Sequence, residues 1–337
     1  MTKPKMKAYI YPVTAREQQG LYNPYINNFV NSLNSDIDFL NCKNPSQVGI
    51  LDLWKYIWKI DVLFLNWIED LPSKKGGEIQ WLIFRFIFIP VLRSRNAKIC
   101  WTLHNKQSHG TNNFINFNKL FSVSNYIITH AGEGKTITES KGYSKKLIFF
   151  HHPINKRDRT KSDNKTIDIF IWGTITPYKG IDLFLDQVTN NTILKKYSIV
   201  IAGKITDEKY KTLIEKKISG NIKLINKFLT DSELEKNLRS SKITLFTYNQ
   251  DSVLSSGALA DSIGFGNIIV GPDVGSFKDI KEMNLIYTFQ NRNQIPSLCE
   301  KLLSDFRNYQ IDDALVSKYL RDHSWEKFGQ KIMQKIR

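Results

Sequence analysis

The stretch SVLSSGALADSIGFGNIIVGPDVG, residues 252–275, decides the fold of this chain. It opens on small hydroxyl residues and a glycine, passes through a short helical pattern, and reaches the apolar run Asn267-Ile268-Ile269-Val270 before a second glycine-rich turn. Turn, helix, strand and turn in that order are the parts of an open parallel α/β sheet, which binds ligands at the carboxyl ends of its strands. Backbone N–H groups along Ser255, Ser256, Gly257 and Ala258 suit an anion, phosphate above all. The same serines serve equally as ordinary helix caps, and the segment by itself leaves both readings open.

Working outward, residues 167–172, 197–202, 222–225, 243–247 and 285–287 repeat the pattern of short β-branched runs, each followed by a helical stretch. The first half does the same at 8–11, 61–65, 98–102, 126–128 and 147–150, with 48–59 and 114–121 long enough for the crossover helices that parallel strands require. Between the halves lies HHPINKRDRTKSDNK, residues 151–165, polar and nearly free of core residues, as an interdomain connection is. The prediction is a domain over 1–152, a second over 166–322, and an amphipathic helix over 323–337 that packs back on the first, with Trp325, Phe328, Ile332 and Ile336 at helical spacing. Two tandem sheets of this kind place substrates in a cleft between them.

A length of 337 residues suits two domains, and 41% hydrophobic residues with no low-complexity tract suit an ordered globular chain. A formal charge of +16 favours anionic partners. Cys42, Cys100 and Cys299 are odd in number and lack metal-ligand spacing, which fits a reducing cytosol. Residues 1–7 do not read as a secretory leader, and residues 79–92, IQWLIFRFIFIPVL, are too short and too interrupted by Arg85 and Pro90 to span a bilayer. The expectation is a cytoplasmic protein.

The chemistry-bearing residues cluster at predicted strand ends. In Ile171-Trp172-Gly173-Thr174-Ile175-Thr176-Pro177-Tyr178-Lys179-Gly180 a strand closes on glycine and a lysine opens the next helix. A cation there meets a diphosphate and stabilises the charge that grows on a leaving group; a solvated lysine at a helix start is the plainer reading. Trp101-Thr102-Leu103-His104-Asn105 ends another strand on a histidine, with His109 beyond it. Asn66 and Trp67 follow the strand at 61–65, with Glu69 and Asp70 after them. The six histidines lack carboxylates at ligand spacing, so no metal is expected.

Together, Lys179-Gly180, the helix ending at Gly266 and the loop at Gly275 resemble the carboxyl-terminal domain of GT-B glycosyltransferases, and the family 4-like bacterial enzymes of surface-polysaccharide synthesis in particular. His104-Asn105, Asn66-Trp67, His151-His152-Pro153 and Ser324-Trp325-Glu326 extend the resemblance over most of the chain. It implies a GT-B fold of two doubly wound Rossmann-like domains, and a metal-independent hexosyltransferase using a UDP- or GDP-linked sugar as co-substrate with no further cofactor. Lys179 matches the family lysine on the donor diphosphate, and Gly173, Thr174 and the turn from Ser255 to Ala258 match its phosphate-binding loops. His104 matches a histidine near the donor sugar. Asp261 stands where a second glutamate accepts ribose hydroxyls. Asn105, Asn66, Glu69 and Asp251 are the implied sugar or acceptor contacts. Two departures stand out: Thr174 replaces an arginine that contacts the diphosphate, and Val253 replaces the first glutamate. Stereochemical outcome is left open; an inverting enzyme needs a base such as His104 or a carboxylate, a retaining one does not.

Acceptors in such pathways are often lipid-linked. Trp81, Phe84, Phe86 and Phe88, bracketed by Lys74, Lys75, Arg85, Arg93 and Arg95, read either as a face for the anionic inner leaflet of the cell membrane or as a buried crossover helix. Competing functions are a nucleotide-sugar epimerase of the same fold and a non-catalytic glycosyltransferase-like subunit. A nucleic-acid binder is disfavoured because the cations are dispersed without aromatic interleaving.

Overall fold

The structure, a computed structural model, describes residues 4–13, 24–43, 48–106, 117–250 and 253–337. His109, Asp251 and Ser252 lie outside the described residues. The chain divides into two compact units: Met1–Pro153 with His323–Arg337, and Ile154–Asp322.

In the first unit, β1 (Met6–Tyr11), β2 (Ile37–Phe39), β3 (Val62–Asn66), β4 (Lys98–Leu103), β5 (Tyr126–Thr129) and β6 (Leu147–Phe149) form a parallel sheet in the order β2-β1-β3-β4-β5-β6. β3, VLFLN, is buried along its whole length, which is why its sequence is apolar without alternation. The order reverses between β1 and β3, so the switch point lies at the ends of those two strands. The helix Trp325–Ile336 completes this unit's core. Ser324 caps it by accepting the Lys327 N–H, and Phe328, Ile332 and Ile336 are fully buried with Tyr25, Phe29 and Leu33 of the helix Pro24–Leu33.

In the second unit, β7 (Ile167–Trp172), β8 (Ile199–Ala202), β9 (Ile222–Ile225), β10 (Ser241–Leu245), β11 (Ile268–Pro272) and β12 (Tyr287–Phe289) form another parallel sheet, in the order β12-β11-β10-β7-β8-β9. Its switch point lies between β10 and β7.

Three local readings change. Residues 48–59 do not make an α-helical crossover; Gly49–Lys55 is a tight 3-10 stretch, closed by Tyr56 N–H donating to the Leu53 carbonyl. The polar run 151–165 is not merely a solvated connection. Arg157 in it is nearly buried, paired with Asp231 at 2.8 Å and facing Glu235 and Asp261 at 3.7 Å, because a guanidinium can enter a protein interior when carboxylates receive it. Residues 77–94 are helical throughout, but Phe84–Phe88 widens into π turns. Pro90 lacks an N–H and crowds the carbonyl four residues back, and the wider turn lets the Ile89 N–H reach the Phe84 carbonyl instead.

Candidate functional site

The second unit's switch point is built around Lys179. β7 ends at Trp172, Gly173 turns the chain, and the short 3-10 element Pro177–Lys179 delivers the lysine to the carboxyl end of the sheet. The neighbouring chain after β10 fixes that turn: Thr247 Oγ1 donates to the Lys179 carbonyl at 2.7 Å, and Asn249 N–H donates to the Tyr178 carbonyl at 3.0 Å. The ammonium lies 5.4 Å from the centre of the Tyr248 ring. Lys179 is 6% exposed, and no carboxylate pairs with it among the described residues. Burial lowers its pKa to about 8.

Gly173 makes the space for this ammonium. It has φ +106°, and a Cβ built on it would sit 2.6 Å from Lys179 Nζ. Gly173→Ala should therefore strain the backbone by about 1–3 kcal/mol and push the ammonium aside. The expected result is a melting temperature lowered by several degrees in calorimetry. An unchanged melting temperature would show that the turn takes up the Cβ without strain.

The serine turn has a different emphasis from its sequence reading. Ser256 Oγ accepts the Leu259 N–H and so caps the short helix Gly257–Ser262, the plainer of the two roles open to it. Its hydroxyl also lies 3.5 Å from the Tyr248 hydroxyl, tying the turn to the ring beside Lys179. Ser255, Gly257 and Ala258 are partly exposed beside it, and Thr174 is exposed on the β7 turn. Val253 is buried against an apolar cluster with Phe246, Tyr248 and Phe277, which accounts for an apolar residue there. Gly275 brings the third loop in closely: with φ +52°, a Cβ on it would lie 2.4 Å from the Leu254 carbonyl oxygen.

Asp261, the expected ribose acceptor, is buried and engaged within its own unit. Asn155 Nδ2 donates to its Oδ1 at 2.9 Å, and Arg157 Nη2 faces its Oδ2 at 3.7 Å. Its pKa is raised by burial, with Arg157 and Arg159 opposing.

In the first unit, the loops after β3 and β4 join an aromatic cluster. His104 is 5% exposed and stacks on Trp67, with ring centres 4.1 Å apart and planes 10° apart, and meets the edge of Tyr25 at 4.9 Å. Asn66 Nδ2 donates to the Tyr11 carbonyl at 3.4 Å, which leaves Oδ1 to accept from His104 Nε2 at 3.1 Å. The His104 proton is then on Nε2, and Nδ1 carries the lone pair. Burial, and then His130 and His152, hold its pKa well below the usual histidine range. Asn105 is buried beside it, and its Nδ2 has no hydrogen-bond partner among the described residues. Glu69 departs from its reading as a sugar contact: it turns inward at 1% exposure, accepts from Trp101 Nε1 at 3.5 Å, and has its pKa raised by burial to about 8. A carboxyl that must be neutral to stay buried suits a core position.

Sequence reasoning missed Tyr25, Tyr248, His130 and the place of His152. Tyr248 had a visible cue, as an aromatic directly between a strand and the serine turn. Tyr25 and His130 had none, because a residue 105 positions away supplies the partner: Tyr25 Oη meets His130 Nε2 at 2.7 Å.

No family model matches the chain, and no curated protein is similar to it in sequence. Among solved structures it is similar to Anabaena HepE in complex with UDP-glucose, at 9% identity and a TM-score of 0.68 over 98% of this chain and 99% of that one. It is similar to sucrose-phosphate synthase from Thermosynechococcus elongatus, at 10% identity and a TM-score of 0.70 over 98% of each chain. A glycosyltransferase from Rickettsia africae matches at 13% identity and a TM-score of 0.61, over 99% of this chain and 98% of that one. With both parallel sheets, these likenesses establish that the chain has the two-domain α/β GT-B fold.

Proposed function

We propose that this protein is a glycosyltransferase that moves a hexose from a UDP- or GDP-linked donor to a glycan acceptor. The observation that carries the reading is Lys179: a buried ammonium at a sheet switch point, with no carboxylate partner among the described residues. A diphosphate supplies the missing counter-charge. As the bond from sugar to diphosphate breaks, negative charge grows on the leaving phosphate, and a cation already held in a low-dielectric site stabilises it without reorganising. In this reading Lys179 does without a metal ion. His104, with its Nδ1 lone pair, is assigned the sugar or acceptor hydroxyl. HepE, similar in fold, has been solved with UDP-glucose, and this favours a uridine donor. The finer reading is a family 4-like enzyme of bacterial surface-polysaccharide synthesis, working on a lipid-linked acceptor at the cytoplasmic face of the membrane.

The test is release of nucleoside diphosphate from a panel of donor sugars, with glycan and lipid-linked acceptors, in the presence and absence of EDTA. Turnover with one donor and insensitivity to EDTA are expected; no binding or turnover with any donor sinks the reading. A pH series adds a sharper check. Lys179 is protonated below about 8 and neutral above it, so UDP affinity should hold steady from pH 6.5 to 7.5 and fall up to roughly tenfold per pH unit above 8. Calorimetric titration reads this directly, and a flat profile to pH 9.5 would place the phosphates elsewhere.

A further inference from the structure

The helical run 77–94 has two apolar faces. Gly77, Trp81, Phe84, Phe88 and Leu92 are buried in the first unit, which is the correction to reading Trp81, Phe84 and Phe88 as a membrane face. Of the four aromatics in that reading, Phe86 alone points outward. Yet the opposite stripe is apolar too: Ile79 is 65% exposed, Leu82 42%, Phe86 62% and Ile87 46%. These positions are spaced three, four and one residues apart, so they lie together on one side of the helix. The 3-10 segment beside it adds Trp54 at 57% and the turn after it Trp58 at 59%, and the Trp54 ring lies 6.3 Å from that of Phe88.

Six large apolar side chains turned to water in one region are costly, and singly scattered apolar residues do not explain them. The charges around them are one-sided. Lys55 and Lys59 each follow one of the tryptophans, Lys75 precedes the stripe, Arg85 sits within it and Arg93 follows it. Against these stand Glu78, Asp61, whose carboxylate accepts from the Lys7 N–H, and Asp52, which is buried and paired with Lys55 at 2.7 Å. No described helix is long and apolar enough to cross a membrane, so this stripe is not a span.

We propose that Trp54, Trp58, Ile79, Leu82, Phe86 and Ile87 form a docking surface that lies in the interface of an anionic phospholipid bilayer. Tryptophan rings favour the headgroup level, aliphatic side chains of an in-plane helix enter the acyl boundary, and the flanking cations meet lipid phosphates. A protein partner would also bury apolar side chains, but the excess of lysine and arginine in the segments that carry the patch matches a surface of uniform negative charge. The inference rests on the proposed membrane-side acceptor for its biological sense and on the exposed stripe for its physics.

Co-sedimentation with phosphatidylglycerol-containing and pure phosphatidylcholine vesicles tests it, using the full chain. The protein should partition onto the anionic vesicles and be released by salt. Trp54→Ser with Phe86→Ser should lower the partition coefficient at least about tenfold, and Lys59→Glu with Lys75→Glu should lower it on anionic vesicles only. Circular dichroism and UDP affinity of these variants should match the parent, since the positions are exposed and lie outside the nucleotide unit. Failure to bind anionic vesicles, or equal binding by the Ser variant, overturns the proposal. So does a dimer in light scattering that the Ser variant converts to monomer, because the occupant is then a second copy. Vesicle binding without transferase activity would keep this surface and remove the proposed function.

Discussion

Lys179→Met should silence transfer while making the protein harder to unfold. The loss follows from removing the cation that the proposed function sets against the leaving diphosphate; comparable single electrostatic contacts are worth about 10²–10³-fold in turnover. The gain follows from burial. Lys179 has its pKa lowered from 10.5 to about 8, so the unfolded chain binds its proton more tightly than the folded chain. Below pH 8 the fold therefore carries the whole cost, about 3 kcal/mol, and recovers it only as pH rises from 8 towards 10.5. Methionine keeps the apolar stem and drops the charge, so urea unfolding at pH 7 should give a more stable variant with nearly no activity. Full turnover would show that the diphosphate is held elsewhere. Loss of both turnover and stability would show that the ammonium has a structural partner.

Mild acid should open the first unit before the second. All six histidines lie in residues 104–152 and at His323, none within Ile154–Asp322. Burial pushes His130 down to about 3 and His152 to about 4, and holds His104 well below its usual range. His130 is fixed as neutral by its contacts: Nδ1–H donates to the Phe150 carbonyl at 2.8 Å, which leaves Nε2 to accept from Tyr25. The unfolded chain takes up protons near pH 6.5 and the folded chain resists until about pH 4. Stability is thus complete above 6.5 and falls with pH below it, by about 1.4 kcal/mol per histidine per pH unit. Between pH 6.5 and 5 His130 and His152 together are worth roughly 4 kcal/mol, a large share of an ordinary domain's stability. Amide hydrogen exchange at pH 7 and pH 5 should show protection lost first in β1 and β5. Equal protection in both units at pH 5 would refute this, and His130→Gln should make the fall of stability with pH shallower.

The architecture was legible because parallel strands advertise themselves: buried on both faces, they leave continuous apolar runs such as Val62-Leu63-Phe64-Leu65 and Ile268-Ile269-Val270. β2 escaped notice because three residues, Ile37-Asp38-Phe39, at a sheet edge carry only one exposed position to mark their alternation. Lys179 was legible from its place after a strand and a glycine, whereas its lack of a carboxylate partner among the described residues is a property of space. Asp261 shows the converse. Its sequence position suggests a ligand contact, and only the folded chain brings Asn155 and Arg157 to it. Phe86 and Phe88 sit two residues apart on one helical run, and burial alone separates the outward ring from the inward one.

The return of Trp325–Ile336 to the first unit orders events during synthesis. On the ribosome, residues 1–153 emerge first, yet they cannot seal their core until Phe328, Ile332 and Ile336 arrive. Meanwhile Ile154–Asp322 holds all its own strands and can close as it appears. The later half should therefore mature before the earlier one, and Phe29 and Leu33 must wait, uncovered, through the making of a whole neighbouring domain. For this chain, the nascent amino-terminal half is the part most in need of a chaperone.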